Sequence, residues 1–274
     1  WGTVGWILAG LAISFLFKWD SIENIGQGML SNTFTMVAIA SVALGVFSFT
    51  LPKTPPSISK DENVTIKDIL GLDALKLLKD RNFLVFFISS VLICIPLAFY
   101  YQNISPFLTE YQVENSTAWA SLGQISEVAF MLLLPFFFKK FGFKKTILFG
   151  MLAWAIRYVL FAYGNNGDLF FMIITGIALH GICYDFFFVS GQIYTDSKAG
   201  EKVKSAAQGL ITLATYGVGM LVGFWIAGQV VDKNLLSDSS HAWQDIWIFP
   251  AVFAVVVMVI FAVLFKDEKI EYKG

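Results

Sequence analysis

Four ionisable side chains lie inside long apolar stretches of this sequence, namely Glu127, Arg157, His180 and Asp185. Asp185 has no charged residue within ten positions on either side, and three phenylalanines follow it directly. If this stretch crosses a bilayer, a carboxylate near its centre costs ~2.5–3.5 kcal/mol on insertion scales, which is tolerated mainly where the residue lines a cavity or an ion path. Burial in a medium of low dielectric favours the uncharged carboxyl, so Asp185 could take up and release a proton. The alternative is a permanent ion pair with Arg157.

Two pairs of polar side chains have the spacing of one helical turn. Gln124 and Glu127 share a face, and an amide beside a carboxylate could clamp vicinal hydroxyls or the edge of a heterocycle. The same two side chains could equally bond neighbouring helices to each other. His180 and Tyr184 also share a face, and His180 could be a second titrating group or a hydrogen-bonding wall residue. Arg157 suits a structural or gating role better than substrate contact.

The composition indicates that these stretches cross a membrane. Hydrophobic residues make up 57% of the 274 residues and charged residues 14%, and the mean hydropathy is +0.68. Soluble domains carry roughly 25% charged residues. The apolar runs are continuous over about 20 residues, as in spanning helices, and do not alternate as barrel strands do. We therefore predict an all-α integral membrane protein.

Several chemistries have no motif in the sequence. No glycine-rich phosphate loop follows a strand, and His, Cys and carboxylate residues do not occur at metal-ligand spacing. We therefore expect no ATP-driven transport, no enzyme, no cofactor, no metal site and no nucleic-acid partner.

Hydropathy predicts eight membrane spans. Their approximate bounds are 2–17, 34–51, 83–107, 117–138, 146–163, 168–194, 205–231 and 246–265. Sixteen of the nineteen lysines and arginines fall in alternate connections and the tail, whereas only Lys18 and Lys233 fall in the other connections. Arg157 is the remaining one, within a span. This positive-inside pattern predicts that the 52–82 linker and the C-terminus are cytoplasmic.

The linker 52–82 is the longest polar segment and separates two spans from six. Thr65 starts a predicted amphipathic helix on the membrane surface, although a solvated connector is the alternative. Its apolar positions are 66, 69, 70, 74, 77 and 78. Because the sequence opens on Trp1 inside an apolar run, we expect it to be part of a longer protein.

Two further patterns concern helix shape. Gly219 and Gly223 form a GxxxG pair that is typical of close helix contacts. Pro96, in the third span, is followed by Tyr100, Tyr101 and other polar residues, which predicts a bent helix that lines a cavity.

Seven short segments together carry a family resemblance. They are WGTVGW at 1–6, LGLDA at 70–74, QISE at 124–127, AWAIR at 153–157, FAYG at 161–164, YDFF at 184–187 and SAAQG at 205–209. In order and spacing they resemble the bacterial nucleoside:proton symporters of the major facilitator superfamily, the group of the nucleoside and xanthosine permeases. The resemblance implies a helical bundle with eight of twelve transmembrane helices present. Residues 1–51 would be the last two helices of the N-terminal half, 52–82 the linker, and 83–274 the six-helix C-terminal half and tail.

The resemblance also implies a function. We expect proton-coupled import of nucleosides by alternating access, in a multi-pass monomer of the bacterial cytoplasmic (inner) membrane whose partners are nucleoside, protons and the lipid bilayer. A proton-coupled carrier for a sugar or another polyhydroxylated metabolite is the first alternative. A membrane receptor that does not transport its ligand is the second.

Residue by residue, the resemblance assigns Gln124 and Glu127 to nucleoside binding and Asp185 to proton coupling. The sequence departs from well-known members in the third span, where Ala98 and Tyr101 stand in place of amides, and at His180, where some members have tyrosine. These differences fall on the wall expected to read the base, so purine or pyrimidine preference stays open. The substrate-binding candidates are Thr3, Trp6, Tyr101, Gln124, Glu127, His180, Tyr184 and Asp185, and the proton-coupling candidates are Asp185, Glu127 and His180.

Overall fold

The computed structural model describes residues 1–54 and 71–268, and these residues form a bundle of helices. Six helices are long and apolar enough to cross a membrane, and Gly2–Leu16 is a shorter apolar one. One of the six, Ser116–Tyr163, contains a break at Gly142 and supplies two of the predicted spans. Each predicted span therefore has a helical counterpart, which confirms the all-α membrane class.

The regular helices are numbered in chain order. They are α1 (Gly2–Leu11), α2 (Ile22–Gly26), α3 (Asn32–Ser48), α4 (Arg81–Glu110), α5 (Ser116–Tyr163), α6 (Phe170–Ala178), α7 (His180–Tyr184), α8 (Ser190–Thr212), α9 (Met220–Lys233) and α10 (Trp243–Leu264). Wider π-helical turns join several of them, at Ala12–Leu16, Asp185–Val189 and Leu213–Gly219. Short 3-10 helices occupy Met29–Ser31 and Leu72–Lys79.

Gly142 divides α5 into two arms, 116–141 and 143–163. Its φ of 76° and ψ of 175° lie in a region that residues with a Cβ rarely adopt, so glycine permits the kink there. The arms contact each other beside the kink, where the rings of Phe137 and Phe149 are 6.5 Å apart. Gly200, with a φ of 65°, divides α8 in the same way.

The core lies where α4, α5 and α10 meet. Trp154, Tyr158 and Trp247 are fully buried there, and the rings of Tyr158 and Trp247 stack at 5.7 Å. The predicted GxxxG contact is confirmed, because a Cβ at Gly223 would lie 2.7 Å from the Cβ of Ala98 on α4. These contacts fix the frame on which the polar residues of the spans are held.

The helix α1 runs antiparallel to the first arm of α5. Thr3 contacts Glu127 near one end, Gly10 packs against Ser121, and the backbone N–H of Ala118 donates to Ser14 Oγ at 2.9 Å. By contrast, no residue of α3 is buried.

The described part of the linker forms a 3-10 helix, Leu72–Lys79, and not the α-helix that its spacing predicted. Ala74 is buried in it, and Leu77 and Leu78 pack against the core of the bundle. The location on the membrane surface stays a prediction. The start at Thr65 and positions 66, 69 and 70 lie outside the described residues. Asp80 then caps α4: the N–H of Phe83 and the ammonium of Lys198 hold the pKa of Asp80 below its usual range.

Candidate substrate and proton site

Glu127 lies at the junction of α1, the first arm of α5 and α7. The hydroxyl of Thr3 donates to Oε1 of Glu127 at 3.2 Å, and Nε2 of His180 lies 3.9 Å from Oε2. The Glu127 side chain is 13% exposed, so it is enclosed but not sealed. Three predicted site residues from separate elements therefore meet at one carboxylate.

The close approach of α7 to α5 depends on Gly181. A Cβ at this position would lie 2.5 Å from the backbone of Ser126, which leaves room for glycine alone. The N–H of Gly181 donates to Ser126 Oγ at 2.8 Å, and the same hydroxyl donates to the carbonyl of Ala178. Because Ser126 precedes Glu127 and His180 precedes Gly181, this contact brings the carboxylate and the imidazole together.

Arg157 binds the other side of the imidazole. Its Nη1 is 3.0 Å from Nδ1 of His180, and both side chains are buried. A guanidinium has donors only, so Nδ1 must accept and the ring proton must be on Nε2, the nitrogen on the Glu127 side. Arg157 also lies 3.5 Å from the centre of the Tyr100 ring, a cation–π contact, and Tyr100 stacks on His180 at 5.3 Å. The network orients His180 as a hydrogen-bond donor.

Asp185 is fully buried at the start of the π-helical turn Asp185–Val189. Neither of its carboxyl oxygens has a hydrogen-bond partner among residues 1–54 and 71–268. Within the same ranges it forms no ion pair with Arg157, whose partners are His180 and Tyr100, so the ion-pair alternative is not found. Turns of this π type are frequent at functional sites. Asp185 thus differs from Glu127, which has polar neighbours on both oxygens.

Tyrosine rings form a wall beside His180. Tyr184 lies 5.6 Å from the imidazole, and Tyr101 meets it edge-on at 6.4 Å. The hydroxyls of Tyr184 and Tyr216 are hydrogen-bonded to each other. Tyr101 is 37% exposed, so this wall remains partly open to a ligand.

Two other predicted residues are placed differently. Gln124 is buried one turn before Glu127, as the spacing indicated. Trp6 is 60% exposed on α1, and it makes no ring contact or hydrogen bond with any residue that the structure describes. The structure therefore groups Thr3, Tyr101, Glu127, His180 and Tyr184, and leaves Trp6 apart.

Sequence reasoning missed the residues that hold this group in place. Ser126 lies in the QISE segment but was assigned no role, because a lone serine in an apolar span is common. Tyr158 donates its hydroxyl to the carbonyl of Pro96 and thereby joins the second arm of α5 to α4. A buried tyrosine hydroxyl needs a partner, and that rule marks Tyr158 as a candidate without identifying the acceptor.

Comparison with known proteins adds to this geometry. Residues 1–270 match the family described as nucleoside H+ symporter. The chain is 43% identical to the putative nucleoside transporter YegT of Escherichia coli, over 97% of this chain and 64% of that protein. It is 31% identical to the xanthosine permease of Escherichia coli, over 100% of this chain and 66% of the permease. A crystal structure of a mutant of the nucleoside transporter NupG is similar with a TM-score of 0.77 and 27% identity, over 97% of this chain and 66% of that one.

The chain therefore belongs to the nucleoside H+ symporter family. It spans slightly less than two thirds of the length of the relatives described above.

Proposed function

We propose that this chain is part of a proton-coupled nucleoside importer of the bacterial cytoplasmic membrane that works by alternating access. The observation that carries the proposal is the contrast between two carboxyl groups inside one bundle: the partly exposed Glu127 has polar partners, whereas the fully buried Asp185 has none within the described residues. The family match and the nucleoside and xanthosine permeases among the relatives support it. In this proposal the chain has three parts, 1–51, 52–82 and 83–274, and its C-terminus is cytoplasmic. The protein is a monomer and has no enzymatic activity.

The group around Glu127 suits a nucleoside. A ligand hydroxyl can donate to the carboxylate of Glu127 and accept from the Nε2–H of His180, because the 3.9 Å separation leaves these groups unbonded to each other. Gln124 adds an amide on the same helical face. The rings of Tyr101 and Tyr184 offer surfaces against which a flat base can stack.

Asp185 suits the proton. An ionised carboxylate that is buried without hydrogen bonds is costly, so protonation removes a penalty that no described neighbour relieves. Proton binding would neutralise the cavity, favour substrate binding and allow the empty and loaded carrier to reorient. Glu127 and His180 remain candidate proton-coupling residues, although the hydrogen bond from Arg157 favours a donor role for His180.

Uptake of labelled nucleosides by the full-length protein tests this function, in cells without their own nucleoside permeases. We expect saturable accumulation of uridine, inosine or both, which a protonophore abolishes and excess sugar does not reduce. A Glu127→Gln variant should raise KM by roughly tenfold or more, because hydrogen bonds to a charged group contribute about 1.5–3 kcal/mol.

Other outcomes identify the alternatives. Competition by sugars would indicate a carrier for polyhydroxylated metabolites and would contradict the nucleoside assignment. Ligand binding without counterflow in proteoliposomes would indicate a receptor.

A further inference from the structure

An apolar groove of about 290 Å3 lies on the outside of the bundle, between the two arms of α5 and α7. Several of its side chains face outward: Phe149 is 37% exposed, Leu152 42% and Ile156 46%. None of the polar site residues lines it. The groove is thus separate from the candidate substrate site and open toward the surroundings of the protein.

Helical periodicity extends this groove along the second arm of α5. Phe149, Leu152 and Ile156 recur at intervals of three and four residues, so they form one stripe along the helix. Lys145 is four residues before Phe149 and begins the same stripe. From Lys145 to Ile156 the stripe is about 16 Å long at 1.5 Å per residue. The hydrocarbon region of one leaflet is about 15 Å deep, so the stripe is long enough to follow one acyl chain.

The inner wall of the groove is preformed by aromatic contacts. The rings of Phe137 and Phe186 are 4.6 Å apart, and those of Phe141 and Phe149 are 5.3 Å apart. Phe186 belongs to the π-helical turn that begins with Asp185, so the wall is continuous with that turn. A wall of interlocked rings holds its shape without an occupant.

Two lysines lie at one end of the groove. The Nζ of Lys140 is 5.4 Å from the ring centres of Phe136 and Phe141, and Phe141 lines the groove. Lys145 is at the start of the stripe. Neither lysine has a carboxylate partner within the described ranges. Both belong to the lysine-rich connections that the charge asymmetry places on the cytoplasmic side.

We propose that this groove binds one acyl chain of an anionic glycerophospholipid, with the lipid phosphate between Lys140 and Lys145. The chain would lie along the apolar stripe, and the two ammonium groups would supply the complementary charge. The positive charges of Lys140 and Lys145 favour an anionic lipid over a second copy of the protein, because a partner helix would need no anion at the end of the groove.

Native mass spectrometry of the full-length protein, titrated with phosphatidylglycerol or phosphatidylcholine of the same acyl chains, measures this binding directly. We expect phosphatidylglycerol to bind about thirtyfold more tightly, since the two lysines near the lipid headgroup together contribute about 2 kcal/mol. The double variant Lys140→Gln/Lys145→Gln should lose this preference. Ile156→Trp, which fills the groove and leaves every lysine in place, should weaken phosphatidylglycerol binding as well.

The matched control is Lys139→Gln/Lys144→Gln, which removes the same charge. Lys139 is two residues from Phe137 and Phe141, on the opposite face, and Lys144 lies off the stripe of Phe149, so this variant should keep the preference. Equal losses in both double variants would show a general charge effect and overturn the proposal. Equal binding of the two lipids by the unmodified protein, or unchanged binding by Ile156→Trp, would overturn it too.

Discussion

Arg157 is a buried cation whose contacts explain how His180 is held. It donates to Nδ1 of His180 and lies against the ring of Tyr100, while Nε and Nη2 have no hydrogen-bond partner among the described residues. A permanently charged group next to Nδ1 fixes the ring as an acceptor on one side and a donor on the other. The polarity of this series, which is the direction of donation from Arg157 to His180 and from His180 toward Glu127, is therefore set by the arginine.

Substitution of His180 tests that polarity. Glutamine can accept from Arg157 through its carbonyl and donate toward Glu127 through its amide, whereas leucine can do neither. We expect His180→Leu to raise the KM for nucleoside roughly tenfold. Leucine leaves the buried guanidinium of Arg157 without its acceptor, at a cost of about 1–3 kcal/mol. His180→Gln should remain within about threefold of the unmodified protein. Kinetics of labelled nucleoside uptake give both values.

The pH profile of uptake separates two roles for the same residue. If His180 acts only as a donor, the profile of His180→Gln will coincide with that of the unmodified protein. Loss of a titration step in His180→Gln would show that the imidazole carries a proton. Equal KM values for the glutamine and leucine variants would contradict the donor role.

At this scale the sequence identified individual residues better than their partners. The isolation of Asp185 and the one-turn spacing of Gln124 and Glu127 were readable, because both are properties of a single segment. The contacts from Thr3 to Glu127 and from Arg157 to His180 join residues 124 and 23 positions apart, and depend on how the helices pack. No periodicity within one helix encodes such a pairing.

Among the helices, the N-terminus of α5 has an unusual cap. Its own preceding residue, Asn115, makes no capping hydrogen bond. Instead Oδ2 of Asp20 accepts from the N–H of Thr117 at 2.8 Å and from the hydroxyl of Ser14 at 2.6 Å. Ser14 in turn accepts from the N–H of Ala118 at 2.9 Å. The segment that follows α1 thus satisfies backbone donors of a helix about one hundred residues later.

Removal of this cap should destabilise the contact between α1 and α5. Asp20→Ala leaves the partly buried N–H of Thr117 without its acceptor, and we expect a loss of about 1–2 kcal/mol. Thermal unfolding of the purified full-length protein would register it as a lower Tm. Asp20→Asn keeps a carbonyl acceptor and should lose less.

The control is Glu23→Ala, which removes a carboxylate from an exposed position nearby. Its Tm should match that of the unmodified protein. A Tm of Asp20→Ala equal to that of Glu23→Ala would contradict the capping role.

The elements themselves were largely predictable. Apolar runs of about 20 residues located every span, and the contact at Gly223 followed from its GxxxG spacing. The linker was less predictable: positions 74, 77 and 78 were expected on an amphipathic helix at the membrane surface, but they lie on a 3-10 helix and pack against the bundle. Nothing in the sequence distinguished Asp20 from other carboxylates in loops, because the helix terminus that it caps lies elsewhere in the bundle.

Over the whole molecule, two of the apolar helices, α1 and α3, bury little of their surface. No residue of α3 is buried, and Trp6 and Leu8 of α1 are 60% and 62% exposed. The relatives are longer than this chain by roughly a third of their own length. We expect helices of the full-length protein, together with lipid, to cover these surfaces.

Alternating access would act on the contact between α1 and the first arm of α5. The pair Thr3–Glu127 joins the two proposed halves at the candidate site, and Asp20 joins them at the end of α5. Separation of the halves would therefore break contacts of the substrate site and of the cap together. Asp185 lies in the proposed C-terminal half, where its protonation would remove a buried charge without breaking an ion pair with any described residue.

The most direct test of the account is proton movement on addition of nucleoside. Proteoliposomes with the full-length protein, given uridine or inosine in a weakly buffered medium without an imposed gradient, should make that medium more alkaline as protons enter with the nucleoside. Asp185→Asn should show no proton uptake while it still exchanges nucleoside in counterflow. Proton uptake in Asp185→Asn equal to that of the unmodified protein would contradict the central claim.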